Sequence, residues 1–206
     1  MLQAYEAVKE AICNNEVQPG DVLSENQIAR QLDMSRTPVR EAIRMLASED
    51  YVEVRNGTGI IVKTISPDDL RDLMRVRKSL ELLAAETAVH TIQESEIDRL
   101  EQSFLSLLAD YRQKKPLSIK DFANSDYLLH ELLVERCSNK YVKSIMGSIN
   151  VNIKRFQGMS FASLNNLPES TEQHLKLLRL IRARDSVALM EALAQHIDWS
   201  QSCILT

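Results

Sequence analysis

Apolar positions along the chain follow two different rhythms. Up to about residue 65, short helical stretches alternate with β-prone runs; beyond it, apolar residues recur every three or four positions. In the first segment the pattern predicts a helix over residues 2–14, closed by the turn signal Gln18-Pro19-Gly20. Ser24-Glu25-Asn26-Gln27 has the S-x-x-Q form of a capping box and opens a short helix through Leu32. After the polar break Asp33-Met34-Ser35, Thr37 as N-cap and Pro38 at the first position predict another helix, with Val39, Ala42, Ile43 and Leu46 on one face. Tyr51-Val52-Glu53-Val54 and Ile60-Ile61-Val62 then flank Asn56-Gly57, a strong hairpin signal. Helix, helix, turn, helix, hairpin is the order of a winged helix-turn-helix.

The second rhythm predicts six helices, at residues 67–90, 94–113, 117–137, 139–158, 168–183 and 185–203. Between the segments, Ser66 is a suitable N-cap, Pro67 suits the first helical position, and Asp68 and Asp69 favour the positive end of a helix dipole. The expected architecture is mostly α: a winged helix-turn-helix over residues 1–65, then a six-helix antiparallel bundle over residues 66–206.

Charge sharpens this picture. The chain carries 25 Lys and Arg against 29 Asp and Glu, a net charge of −4, and residues 1–65 by themselves are acidic. Against that background Arg36, Arg40 and Arg44 recur every four residues along the second helix of the turn pair. The bland interpretation is a solvated face paired with Glu41 and Glu49. Within a helix-turn-helix, however, that helix enters the major groove with its N-terminal residues at base edges, and guanidinium forks match guanine or phosphate. An acidic domain binds DNA weakly in general, so affinity should depend on a dimer and a specific site.

The stretch PGDVLSENQIARQLDMSRTPVREAIRMLASEDYVEV, with GTGIIV after it, closely resembles the GntR family of bacterial transcriptional regulators. The resemblance implies DNA contacts at Arg36, Thr37 and Arg40, and at Asn56 and Gly57 in the wing; Arg44, one turn further on, is a candidate from its spacing. Two positions depart from the family pattern. Asn26 stands where arginine is frequent, and Asp50 where glycine is usual; Asp tolerates a left-handed backbone better than most residues, so the turn should survive.

In the second segment, polar residues interrupt apolar stripes at a few places. Asp126 and His130 share a stripe with Phe122, Leu129, Leu133 and Cys137; His174 shares one with Leu167, Leu178 and Ile181; His196 shares one with Leu189 and Leu193. A buried unpaired carboxylate costs several kcal/mol or more. Such residues are either satisfied within the core or are ligands of a metal, and the spacing alone leaves both open. The pattern Asp126-x-x-x-His130, Ser138-Asn139, His174, His196 resembles the metal-binding, all-helical (FCD) effector domain of FadR-like GntR proteins, and six helices resemble its VanR-type branch. That resemblance implies one divalent transition metal per chain (Zn, Ni, Mn or Fe) on Asp126, His130, His174 and His196. It also implies a small-carboxylate effector received with Arg77, in the segment Val76-Arg77-Lys78-Ser79-Leu80-Glu81; the alternative for Arg77 is pairing with Glu81 one turn away.

The chain has no apolar run approaching the ~18 residues of a membrane span. Its first twenty residues show no basic region followed by an apolar core. Cys13, Cys137 and Cys203 are far apart and form no C-x-x-C pair, which suits reduced thiols. The expectation is a cytoplasmic, homodimeric, ligand-responsive transcriptional regulator of a palindromic double-stranded DNA operator, with the sign of regulation left open. Two rivals remain: a metal-dependent hydrolase or lyase with a DNA-binding appendage, and a metal sensor. The enzyme is disfavoured by the lack of H-E-x-x-H, a G-x-S-x-G elbow or a phosphate loop.

Overall fold

The computed structural model describes residues 1–13, 16–55, 59–64, 66–115, 119–160 and 166–205. The chain divides into two compact units, Met1–Ser66 and Pro67–Thr206.

The first unit runs α1 (Leu2–Cys13), β1 (Val22–Leu23), α2 (Glu25–Gln31), α3 (Arg36–Ser48), β2 (Val52–Arg55), β3 (Gly59–Val62). α1 and α2 both pack on α3. The buried side chains follow the helical stripes of the sequence: Ala4, Tyr5, Val8 and Ile12 of α1 against Val39, Ala42, Ile43 and Leu46 of α3. The antiparallel sheet has the order β1-β3-β2, with Val52 opposite Val62 and Val22 opposite Ile61. Strand β1 was not anticipated; two residues carry no periodicity to read. Beside it, Gly59 of β3 has φ +109°, and a Cβ there would lie 3.2 Å from Val22 Cγ1 and 3.3 Å from the Leu23 carbonyl oxygen. Glycine is thus needed both for its backbone angle and for the close passage of β1.

Two start signals act differently from expectation. α3 begins at Arg36 with Ser35 as its N-cap, so Thr37 and Pro38 fall inside the first turn rather than opening it. Pro38 is tolerated there because first-turn amides have no intrahelical acceptor. Ser24 is the N-cap of α2, but its side chain makes no cap hydrogen bond, so the capping box is not closed. Asp50 does adopt a left-handed conformation, φ 67°, between α3 and β2, and its carboxylate accepts a hydrogen bond from Lys63 Nζ at 2.5 Å.

The second unit is α4 (Pro67–Ala88), α5 (Glu94–Arg112), α6 (Ile119–Arg136), α7 (Lys140–Ser160), α8 (Leu167–Arg182) and α9 (Ser186–Leu205). α4 packs on α6, α7 and α9, while α8 packs on α5, α6 and α9. α4 and α8 thus each pack on both α6 and α9, around a core that includes Phe104, Leu129, Leu133, Leu178, Leu189 and Leu193. The turn between α8 and α9 is tied to the connection between α4 and α5. Arg184, in the left-handed region at φ 59°, donates to the Ile92 carbonyl at 2.8 Å and also to that of Val89. Asn139 accepts from the Tyr141 and Val142 amides at 3.0 and 3.3 Å, so it caps α7. A true capping box does occur, unforeseen, at α5, where Gln93 and Glu96 bond reciprocally. Among the described residues, no helix is long and apolar enough to cross a membrane.

Candidate functional site

α6, α8 and α9 bring their polar intruders inward because these sit on the stripe that packs. Asp126 and His130 of α6, His174 of α8 and His196 of α9 are all buried. Their potential ligand atoms lie within 4.8 Å of one another. The ring centroids of His174 and His196 are 4.4 Å apart, and those of His130 and His196 5.4 Å.

Hydrogen bonding separates a satisfied polar core from a ligand set. His174 Nε2 is 2.8 Å from Asp126 Oδ1. Yet neither ring nitrogen of His174 makes a well-aligned N–H hydrogen bond among the described residues, although Asp126 and the Ser170 backbone lie close enough to act on the ring. His130 Nε2 is likewise buried without one. Imidazole nitrogens buried without a well-aligned partner are costly, and one such nitrogen on each of His130 and His174 beside Asp126 needs an explanation. A shared cation would account for it: atoms bound at ~2.1 Å to one ion lie about 3.0–3.4 Å apart, edge to edge rather than donor to acceptor. The observed 2.8 Å contact and 4.8 Å overall spread bracket that range, so small side-chain rotations suffice. Three imidazoles and one carboxylate suit Zn, Ni, Mn or Fe.

The far sides of two rings are already held. His130 Nδ1 lies 2.5 Å from Glu81 Oε2, and His196 Nδ1 lies 2.8 Å from Gln173 Oε1. Both acceptors favour the Nδ1–H tautomer, which leaves Nε2 as an electron-pair donor towards the cluster. His174 is held by stacking instead, its ring 4.7 Å from Phe104 at 7°. Glu81 is a residue that the sequence pattern had offered only as an alternative partner of Arg77. It is fully buried and serves both groups, since Arg77 Nε donates to Glu81 Oε1 at 2.6 Å. Its signal was present. Met74, Arg77, Glu81 and Ala84 lie on one helical stripe, so Arg77 and Glu81 intrude on an apolar face just as Asp126 does. Gln173 carried no such signal.

The electrostatics follow the packing. Burial pushes the Glu81 carboxyl up, but Arg77 and then His130 outweigh it and hold the group at about 2. Burial also opposes ionisation of Asp126; the His174 ring, with His130 and Arg77 behind it, overcomes that and holds the carboxyl well below its usual range. His174 and His196 are pushed down, chiefly by burial, with Asp126 pulling upward on both. Neutral imidazoles facing an ionised carboxylate are the state a divalent cation binds. A small, partly enclosed pocket beside this cluster is lined by Arg77, Glu81, Tyr127, His130, Glu131 and Asn150, among others.

In the first unit, Arg36, Thr37, Arg40 and Arg44 are all exposed on α3. Arg40 donates from Nε and Nη2 to the Glu25 carboxylate at 3.1 Å each, and Arg36 Nη2 is 3.6 Å from the same group. Arg44 Nη1 donates to Glu41 at 2.7 Å. Glu49, expected beside the arginines, is instead bonded to Tyr5 and Lys9. Asn56 and Gly57 lie outside the described residues.

A winged helix-turn-helix joined to a helical unit with a buried cluster of this kind defines a two-domain transcriptional regulator. Residues 1–62 match the bacterial regulatory proteins of the gntR family and residues 72–198 match the FCD domain, and the chain belongs to that family. It is 27% identical over 196 residues to the HTH-type transcriptional repressor RspR of Escherichia coli, covering 95% of this chain and 85% of the relative. To the gluconate operon transcriptional repressor of Bacillus subtilis it is 25% identical over 205 residues, covering 95% and 80%. Among solved structures, E. coli McbR/YncC superposes with a TM-score of 0.83 at 22% identity, covering 99% of this chain and 96% of that one. The metal-free FCD domain of TM0439 superposes at 0.59 and 17% identity, over 69% of this chain and 96% of that domain. The family and these relatives are regulators, and the chain is a DNA-binding regulator and not an enzyme.

Proposed function

We propose that this chain is a homodimeric repressor whose affinity for a palindromic operator is set by a small carboxylate effector received beside a metal ion in the FCD domain. The carrying observation is the convergence of the ligand atoms of Asp126, His130, His174 and His196 within 4.8 Å, with Glu81 and Gln173 fixing the opposite edges of His130 and His196. Asp126, His130, His174 and His196 would hold the ion. When bound, it supplies a fixed positive charge with coordination positions left for an anion. Arg77 is the chain's own anion-binding group beside it: Nε is committed to Glu81, and no hydrogen bond reaches its terminal nitrogens among the described residues. Those two nitrogens form a fork suited to a carboxylate. Gluconate, in the name of one relative, is itself a small hydroxy-carboxylate.

Arg36, Thr37, Arg40 and Arg44 are the proposed DNA contacts on α3, with Asn56 and Gly57 in the wing. Dimerisation is supported by apolar side chains left exposed on two adjacent helices, Val76 and Leu83 of α4 and Tyr141 and Ile145 of α7. Six helices support the VanR-type branch. Four residues of chain join Val62 of β3 to Pro67 of α4, which makes α4, the helix of Arg77 and Glu81, the proposed route between effector and DNA. An effector shifts operator affinity only by its differential affinity for two arrangements, typically about 1–3 kcal/mol.

The test is a double titration. Operator affinity is measured against metal at fixed effector, and against a panel of small carboxylates at fixed metal. A response to one carboxylate that requires metal supports the reading. A response to metal alone makes the protein a metal sensor, and no metal at the site in a folded protein overturns the proposal.

A further inference from the structure

Arg40 is a proposed base contact on α3, and the structure holds it in one particular way. A guanidinium presents two forks: the side edge, Nε with Nη2, and the end, Nη1 with Nη2. Glu25 occupies the side edge, with Nε to Oε1 at 3.1 Å and Nη2 to Oε2 at 3.1 Å. Nη1 and the second proton of Nη2 remain, which is a complete end fork. Two-point recognition of guanine O6 and N7 needs one such fork and no more. The carboxylate is itself well placed. Glu25 is the first residue of α2, where the helix dipole favours an anion, and α2 packs on α3. Its side chain is 24% exposed, against 50% for Arg40 and 60% for Arg36.

The second effect concerns charge. Glu25 lies against two of the three arginines of the face, and Glu41 against the third. Paired arginines neutralise phosphate poorly, so the face is weak towards an arbitrary duplex. It stays competent towards a site whose guanine meets the end fork.

We propose that Glu25 is the specificity-determining partner of Arg40: it locks the arginine end-on for one guanine and suppresses sequence-independent binding by Arg40 and Arg36. This rests on the reading of Arg40 as a base contact. Glu25 is a positioning residue, acting through Arg40 and not by touching DNA.

The test uses the full-length protein, a duplex selected by the wild type from a random-sequence pool, and a scrambled duplex of equal composition. Glu25→Gln keeps shape and removes the charge. It is expected to tighten binding to the scrambled duplex and to lower the selected-to-scrambled affinity ratio by about tenfold, with the salt slope on the scrambled duplex steepening by about one unit as an arginine is released to phosphate. Glu25→Asp, which keeps the charge, should restore part of the ratio. In an Arg40→Ala background, Glu25→Gln should change the ratio little, because the residue it positions is gone. Weakening of both duplexes equally by Glu25→Gln, or an unchanged ratio, overturns the proposal, as does an equal loss of ratio with and without Arg40. Should Arg40→Ala alone leave the ratio untouched, the base-contact reading fails first, which separates the two failures. Thermal unfolding of each variant identifies any that has merely lost its fold, and for those Glu25→Asp supplies the comparison.

Discussion

Glu81→Gln strikes the point where the candidate metal cluster and the candidate effector arginine meet. Glu81 has no exposure, Arg77 has 2%, and the carboxylate serves Arg77 Nε and His130 Nδ1 at 2.6 and 2.5 Å. The amide retains one acceptor oxygen of the right shape and puts an NH₂ group where the other acceptor was. One of the two donors is then opposed, and a buried guanidinium loses its counter-charge. Breaking a buried pair in this way costs about 3–5 kcal/mol, and the retained acceptor places this substitution near the lower end. At roughly 2–4 °C per kcal/mol for a protein of this size, the unfolding midpoint should fall by about 6–12 °C. The second readout is the metal. With a neutral acceptor behind it, the His130 ring is less firmly oriented and less basic, and loss of such a partner weakens metal affinity by about 10–100-fold. Thermal unfolding of the metal-free protein gives the first number, and competition against a chelator of known affinity gives the second. A variant that unfolds within about 2 °C of wild type and competes equally well would show that the Arg77–Glu81–His130 chain is an incidental packing arrangement.

Three further outcomes follow from the same geometry. His196→Ala should abolish stoichiometric metal by elemental analysis and remove the stabilisation that added metal gives the wild type, since an ion bound only by the folded state stabilises it by mass action. Arg77→Ala should eliminate the shift in operator affinity caused by an effector carboxylate; an unchanged shift would make Arg77 solely the partner of Glu81. The metal-free protein should lose stability as pH falls below about 6.5, because His174 and His196 have folded-state pKa values below the unfolded value and the unfolded chain takes up protons first. The carboxylates act lower. The stabilisation from Glu81, held at about 2, is full above its ordinary range and disappears only as pH falls through that value. Urea midpoints at pH 7.5 and 5.5 read the histidine window, and a higher midpoint at 5.5 would contradict the argument.

Most of the fold was readable because helical periodicity is strong here: the stripes of α3, α6, α8 and α9 became buried faces residue for residue. The buried polar cluster was readable for the same reason in reverse, since Asp126, His130, His174 and His196 are polar where the stripe is apolar. What escaped lies in details that periodicity does not encode. The start of α3 depends on which of Ser35 and Thr37 adopts extended backbone, and both types are good caps. Glu25 looked like part of a capping box, and its contact with Arg40 crosses fifteen residues, beyond any local rule. Gln173 acts on His196 across a helix pair, and β1 exists only because Gly59 lets it approach.

The four candidate ligands span a long stretch of chain: Asp126 and His196 are seventy residues apart in sequence, yet their ligand atoms meet. An ion at that point works as a reversible cross-link across a large loop, with the entropic leverage that long closures have over an unfolded chain. Separation of α9 from α6 and α8 then requires rupture of coordination, so occupancy slows opening as well as disfavouring it. Cellular proteases act on opened chains. If the ion is bound as proposed, the lifetime of the regulator, and hence the number of copies available for its operator, follows the metal supply of the cell even when the effector concentration is constant.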